Sequence, residues 1–522
     1  MKKFISVLLA VVMMLSVALT AVGAVEADNT SVGAYTITSG DYKFTLLEDG
    51  TAKITECTST ETDVVIPSTL NGFEVSVIGH YALPWKVVNL TISDTVTTIE
   101  EYAFYHCDNL ETVTIPKSVT SMEYNFDAAL YACNFKEYIV DSENPVYSSE
   151  DGVLFNKSKT ILLDYPEYKE AESYTVPSTV TAIKDMIAVS LHNLTITENV
   201  SKIETEALAE NQYLHDITVV DDNKYYSSED GVLFNKDKTR LIKFPGNKDI
   251  QSYTVPDSVY RIWDYAFYWC DLNYLTLNDG LAYINAHAFE QTCIFKLVIP
   301  DSVVSLGEYA FYKLPFDTEI ILSENITTIE PYTFYDCEEI PTVVIPEKVT
   351  SIGEFAFYGC ESITEVDLPD GLETIGGSAF CECVSLTEVN IPDSVTSIDI
   401  GVFCNCICLK KVTIPSSVTA IGDNAFLNCN FLTIYGYLNT AAHTYATDNS
   451  VEFVALNIKG DVNLDSVVNI IDATEIQKAV SGVTSFSNGV TEIADVNGDG
   501  VLNVSDATMI QKYCVGLEEI TT

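Results

Sequence analysis

Six aliphatic residues, Ile299, Leu322, Ile345, Leu368, Ile391 and Ile414, follow one another at a constant interval of 23, and all but Leu322 precede a proline. Ile92 and Ile115 take the same step near the other end of the chain. A fixed period of this length constrains the fold more than any local propensity, because it marks one small supersecondary unit repeated many times. Such a unit cannot bury its own apolar face, so the core closes only when neighbouring units stack.

The unit from Ser385 to Cys406, "SLTEVNIPDSVTSIDIGVFCNC", shows what is repeated. Val389 and Ile391 alternate with Glu388 and Asn390, the pattern of a short strand with one face inward. Pro392 has no N–H to donate and limits how far the ladder runs. A turn then delivers Val395 and Ile398, and a segment of the form Gly-x-x-Ala-Phe, as in Gly353–Phe357, ends on one small and one large core residue. The expected fold is therefore a β-rich solenoid of about 23-residue repeats with short parallel strands.

The period also organises the cysteines. Cys337, Cys360, Cys383, Cys406 and Cys429 are 23 apart, each three residues after a Phe, and Cys107 and Cys270 hold the same slot. Equivalent residues of stacked strands sit about 4.8 Å apart. The ladder positions are thus expected to be inward, apolar thiols rather than the metal cluster that "CEC" and "CNCIC" suggest in isolation. That spacing leaves disulfides between coils open. Cys381, Cys404, Cys408 and Cys514 fall off the ladder.

Two longer intervals, Ile139 to Val176 and Val219 to Val255, each hold a near-identical insert: "YSSEDGVLFNKSKTILLDYP" and "YSSEDGVLFNKDKTRLIKFP". Apolar runs around "NKSK" and "NKDK" predict hairpin inserts over about 141–168 and 221–247. Two strands around Asp49-Gly50 predict an N-terminal β cap over 30–65, and a short helix and strand in "AAHTYATDNSVEFVAL" predict a C-terminal cap to a solenoid spanning 66–457. The "IPxSVTxIGxxAFxxC" units, the "DGVLFNKDKT" insert and the "YGYLNTAAHTYATDNSVEFVAL" end resemble the BspA-type leucine-rich-repeat proteins of bacterial surfaces. That resemblance, over roughly residues 35 to 457, implies a solenoid used for binding rather than for a reaction.

The net charge of −48 and pI near 4.2 repel nucleic acid and anionic membranes. At the start, Lys2 and Lys3 precede an apolar run from Phe4 to Thr20 and then small residues, which reads as a signal peptide over 1–27 and predicts a secreted, extracellular protein. No further run approaches the ~20 apolar residues of a membrane span.

At the other end, "GDVNLDSVVNIIDATEIQK" (460–478) is repeated 34 residues later as "ADVNGDGVLNVSDATMIQK" (494–512). Asp461, Asn463, Asp465, Val467, Asn469 and Asp472 occupy positions one, three, five, seven, nine and twelve of the first loop; Asp495, Asn497, Asp499, Val501, Asn503 and Asp506 occupy them in the second. Hard oxygens at alternate positions, a main-chain carbonyl at seven and a closing carboxylate are the grammar of a calcium loop, so two calcium ions are expected. Position six is Gly500 in the second loop but Ser466 in the first, and position twelve is Asp rather than Glu. Three Asp side chains per loop repel one another without a cation, which couples metal to folding.

No helix fits before the first loop, directly after "FVALNIKG". Loop-then-helix, twice, over 459–517 resembles a dockerin, a small α-helical module. This implies a cohesin module of a scaffoldin as partner, in a cellulosome-type assembly on anaerobic bacteria engaged in polysaccharide catabolism. The family's recognition positions fall on Ile470, Ile471, Val504 and Ser505, with Lys478 and Lys512 further along the helices. Where the common clostridial type has Ser-Thr, this chain has Ile-Ile and Val-Ser.

Nothing in the array spells a catalytic site. The six histidines share no motif, His106 beside Cys107 is the nearest approach to a Cys–His pair, and no Walker loop, G-x-S-x-G or H-E-x-x-H occurs. The expected function is thus a secreted, non-catalytic protein that docks on a cohesin and presents its solenoid to a protein, cell surface or substrate. Two alternatives stand beside it: a dockerin-targeted polysaccharide-degrading enzyme with a carboxylate pair hidden among 75 acidic residues, and a free adhesin or inhibitor. Rows of Tyr beside each Ala-Phe, among them Tyr309, Tyr332 and Tyr335, could form an aromatic strip or fill space on the flank.

Overall fold

Along the strand Glu388–Asn390, Val389 is 1% exposed while Glu388 and Asn390 face solvent. Ile391 follows, buried, and its N–H bonds the Thr413 carbonyl of the next coil at 2.9 Å. This alternation, repeated coil after coil, builds a β-solenoid of stacked short parallel strands in the computed structural model of the protein. The structure describes residues 35–520 apart from 106, 123–133, 187, 316–317, 457, 466 and 487; residues 1–27, expected to be a signal peptide, and His106 and Ser466 lie outside them. The chain divides between Tyr225 and Tyr226 into two compact units.

In the first unit an antiparallel meander, Ile37–Ser39, Tyr42–Leu46 and Ala52–Cys57, opens the fold, and its last strand pairs parallel with Phe73–Ile78. Two parallel stacks follow. One runs Asp63–Val65, Asn89–Thr91, Thr112–Ile115 and Glu137–Val140; the other continues from Phe73–Ile78 through Thr98–Ile99 to Ser121–Met122. The insert is a three-stranded antiparallel meander, Tyr147–Glu150, Val153–Asn156 and Ile161–Asp164, one strand more than the hairpin read from the sequence. The extra strand is closed by Asp151-Gly152, both at positive φ (48° and 74°), the conformation that an Asp-Gly turn supplies. Ile161–Asp164 then pairs parallel with Ala182–Ile183 and rejoins the coils.

The second unit repeats this plan. Tyr226–Glu229, Val232–Asn235 and Arg240–Lys243 form its insert, and Arg240–Lys243 feeds a parallel stack through Arg261–Ile262, Tyr283–Ile284 and Ser305–Leu306. The strands Glu388–Asn390, Lys411–Thr413, Thr433–Gly436 and Glu452–Ala455 close the array beside the helix Ala441–Asp448, whose Ala442 and Ala446 are buried.

The core of the second unit is a column of phenylalanines. Phe334, Phe357, Phe380, Phe403 and Phe426 stack ring on ring at 5.1 to 5.5 Å, within 8° of parallel. Offset aromatic stacks contribute roughly 0.5–1.5 kcal/mol per pair beyond burial. In this unit the ladder cysteines donate their thiols to the carbonyl of the Phe 26 positions earlier, among them Cys337 to Phe311 at 2.9 Å, Cys360 to Phe334 at 3.2 Å and Cys406 to Phe380 at 3.1 Å. The slot is therefore a buried hydrogen-bonding position, more than the small apolar filler that periodicity alone predicts. Thr292, three residues after Phe289, does the same work with its hydroxyl on Phe267 O at 2.7 Å.

A second column runs alongside. Tyr265, His287, Tyr309, Tyr332 and Phe355 stack at 4.5 to 5.1 Å, and all five sit at positive φ, between 54° and 59°. A left-handed non-glycine residue costs about 1–2 kcal/mol, offset here by stacking and by coil-to-coil bonds such as Tyr332 N–H to Glu354 O at 3.0 Å. The rings cover one another's faces, so this row holds the coils together rather than offering free platforms to a ligand.

Candidate calcium centre and docking face

Each terminal loop ends in a helix because its last residues form a capping box. Asn469 caps Ile470–Val480, accepting from Ile471 N–H at 2.8 Å, while Asp472 accepts from Asn469 N–H at 2.8 Å. Asn503 and Asp506 repeat the arrangement at Val504–Cys514, at 2.8 and 2.9 Å. Apolar residues fix the pair: Ala473, Ile476, Ala507 and Ile510 are buried together with Val462 and Val496. Position eight, Val468 and Leu502, packs half-buried against the same cluster.

The first loop gathers Asp461, Asp465 and Asp472, with one carboxylate oxygen of each within 4.8 Å of the others. Asp461 is 3% exposed and Asp472 fully buried. Asp472 Oδ1 accepts from Val462 N–H (3.0 Å) and Asn463 N–H (3.2 Å), tying the loop's two ends together. Asp465 N–H donates to Asp461 Oδ1 (3.1 Å) and Asn463 Oδ1 (3.0 Å), which turns those side chains toward the loop interior. Burial raises the Asp472 carboxyl above its ordinary value and Asp461 adds to the rise, while the N–H groups of Asn469, Asn463 and Val462 pull the other way. Three close carboxylates, two of them shielded from water, form a hard-oxygen cluster that could hold a divalent cation.

In the second loop Asp499 N–H donates to Asp495 Oδ1 (3.1 Å) and Asn497 Oδ1 (2.9 Å) and Asn497 N–H to Asp506 Oδ1 (3.2 Å), as in the first, and Gly500 N–H donates to Asp495 Oδ2 (2.8 Å). Gly500, at φ 79°, takes the turn without strain. Asp506 is fully buried. The Val467 and Val501 carbonyls accept from the amides of Asn469 (3.0 Å) and Asn503 (2.8 Å). Asn469 and Asn503 thus stand at position nine with their side-chain oxygens committed to the helix caps.

The six candidate recognition residues are all exposed. Ile470, Ile471 and Val504 are each more than half exposed, so the first turn of both helices carries apolar surface into solvent. Ser505 occupies the second helix at the place of Ile471. Lys478 pairs with Glu475 (2.7 Å) and Lys512 with Glu518 (3.2 Å).

On the repeat array, the outward strand residues make a mixed face. Lys296 pairs with Glu319 (2.6 Å) and Lys411 with Glu388 (2.5 Å). On the same strands as the first pair Val298 and Ile321 stand exposed, as does Val344 one coil on, and an open groove of about 650 Å³ is lined by Tyr274, Thr276, Lys296, Val298 and Asp301. Alternation along the strands already places Ile321 and Val344 outward, on a face read from the sequence as mixed and acidic; it does not join them into an apolar stripe, because outward positions of a strand carry no packing constraint. Among the described residues no helix is long and apolar enough to cross a membrane.

Stacked parallel coils joined to a paired loop-and-helix module define a leucine-rich-repeat solenoid with an appended two-helix domain. A family model described as the BspA type leucine rich repeat region, in six copies, matches residues 76–167, 165–249, 243–340 and 327–442. The chain belongs to the BspA-type leucine-rich-repeat family and carries a dockerin type I domain, whose model matches residues 459–514. Among solved structures, the chain is similar to a leucine-rich repeat protein from Eubacterium ventriosum, 20% identical over 76% of this chain and 95% of that one, with a TM-score of 0.43. It is also similar to a leucine rich cell surface protein from Faecalibacterium prausnitzii, 24% identical over 80% of this chain and 98% of the other, TM-score 0.32. A leucine-rich repeat protein from Bacteroides ovatus gives 21%, 83%, 100% and 0.34. No curated protein matches the chain.

Proposed function

We propose that the protein is a secreted, non-catalytic binding component that docks through its calcium-loaded dockerin onto a cohesin of a cellulosome-type scaffold. The observation that carries this reading is the twinned module itself: two helices, each rooted in an acidic loop, each presenting an exposed apolar first turn. In the first loop Asp461, Asn463, Asp465, the Val467 carbonyl and Asp472 would hold the ion. In the second Asp495, Asn497, Asp499, the Val501 carbonyl and Asp506 would do so, while Asn469 and Asn503 reach the ion through a water, as position nine often does. Calcium supplies the charge that lets the carboxylates converge; the chain's own residues then fix both helix starts and aim Ile470, Ile471, Val504 and Ser505 outward. The repeat array is left free to bind a protein, cell surface or substrate, with the Tyr274–Val298 groove and the Val298–Ile321–Val344 stripe as its candidate face.

Capture of the full chain by a panel of cohesins, with calcium and then with EDTA, tests the reading. Calcium-dependent capture is expected, and Ile470→Asp with Ile471→Asp should weaken it by at least about thirtyfold, the loss of a single hot spot of about 2 kcal/mol. If no cohesin captures the chain in calcium, the assembly role is wrong.

A further inference from the structure

We infer that Cys381 and Cys404 form a disulfide between consecutive coils when the protein meets a small-molecule disulfide. The two residues are 23 positions apart and therefore occupy one slot in adjacent coils. Their backbones are held side by side: Phe380 N–H bonds Val402 O at 2.9 Å and Glu382 N–H bonds Cys404 O at 2.8 Å. The preceding residues, Phe380 and Phe403, stack within 8° of parallel. Equivalent residues one coil apart fall in the Cα range that a disulfide spans.

The thiols themselves distinguish this pair from the ladder. Cys360, Cys383, Cys406 and Cys429 each spend the thiol on a Phe carbonyl of the previous coil, at 3.1 to 3.2 Å. Cys381 and Cys404 instead lie against each other: burial pushes the Cys381 thiol up to about 12, and the neighbouring Cys404 thiol adds to the rise. Among the described residues neither donates to a carbonyl. Cys381 is buried and Cys404 only partly so, which lets an oxidant reach Cys404 first while Cys381 waits behind it.

The chemistry balances with an external disulfide, RSSR. Cys404 loses its proton to solvent and attacks one sulfur of RSSR, giving a mixed disulfide and releasing RS⁻, which takes up a proton as RSH. Cys381 then loses its proton and attacks Cys404 Sγ, displacing the second RSH. Two protein thiols are oxidised, and one RSSR is reduced to two RSH. The product ties neighbouring coils across a short loop of sequence, at the place where the repeat otherwise relies on backbone bonds.

The test uses the full chain, purified reduced and exposed to oxidised glutathione, then digested without reduction and read by mass spectrometry. The expected result is one cross-linked peptide pair joining Cys381 to Cys404, lighter by two hydrogen atoms, with both positions lost to alkylation while Cys383 and Cys406 alkylate only after unfolding. In Cys404→Ser the cross-link disappears and Cys381 becomes alkylatable after denaturation. Recovery of both cysteines as free thiols from oxidised wild-type protein, or of Cys404 as a stable glutathione mixed disulfide, overturns the inference.

Discussion

The thiol of Cys383 donates to the carbonyl of Phe357, 26 residues earlier and one coil away, at 3.2 Å. The bond ties the cysteine ladder to the phenylalanine column, because Phe357 stacks on Phe380, three residues before Cys383. It makes the donor at this slot, rather than the sulfur, the feature the fold uses. Cys383→Thr should therefore retain most of the stability, as Thr292 already does in its own coil. Cys383→Ala should lose about 1–2 kcal/mol, one buried hydrogen bond and a small void. Chemical denaturation of the two variants decides it, and equal losses would mean that the hydrogen bond is incidental.

Coil spacing also dictates glycine where no unusual φ demands it. A Cβ on Gly376 would lie 2.5 Å from Glu354 N and 2.6 Å from Gly353 C, and one on Gly353 only 2.4 Å from Pro331 N. Gly376→Ala should cost about 1–3 kcal/mol, the range for overpacking a closed interior. Gly371→Ala, whose Cβ would meet nothing nearer than 3.9 Å, should be close to neutral. Their melting temperatures, measured side by side, check the contrast.

Burial of the ladder thiols makes a pH prediction. Burial pushes Cys270, Cys337 and Cys429 up to about 12 from an ordinary 9.0. Between those values the unfolded chain has released protons that the folded chain keeps. The ladder's contribution is full below pH 9 and falls as pH rises toward 12. Equilibrium unfolding at a series of pH values should show stability declining over that window, and a Cys337→Thr, Cys429→Thr double variant should decline less steeply.

Metal removal should act locally. With EDTA, hydrogen exchange of the full chain should accelerate over 461–514 and remain slow in the strands around Val389 and Val412. Asp472→Ala should weaken calcium binding by more than about tenfold, roughly 1.4 kcal/mol, since it removes a buried carboxylate that closes its loop on three backbone N–H groups. Unchanged exchange of 461–514 in EDTA would show that these helices fold without the ion.

A period of 23 in aliphatic and cysteine positions determined the solenoid by itself, since units that cannot close their own cores must stack. Alternate oxygens at Asp461, Asn463 and Asp465, repeated at Asp495, Asn497 and Asp499, likewise located the acidic loops, because coordination needs donors on one side of a turn. The third strand of each insert was present in the sequence as an Asp-Gly turn, yet its flanking "YSSE" is too polar to read as a strand alone. The contacts between coils were hidden until the chain folded. Tyr309 and Tyr332 lost their free faces to each other, the cysteine slot became a hydrogen-bonding slot, and Cys381 met Cys404. Each follows from which atoms of one coil lie against the next at about 5 Å, a distance that residues 23 apart in sequence acquire only once the chain has wound.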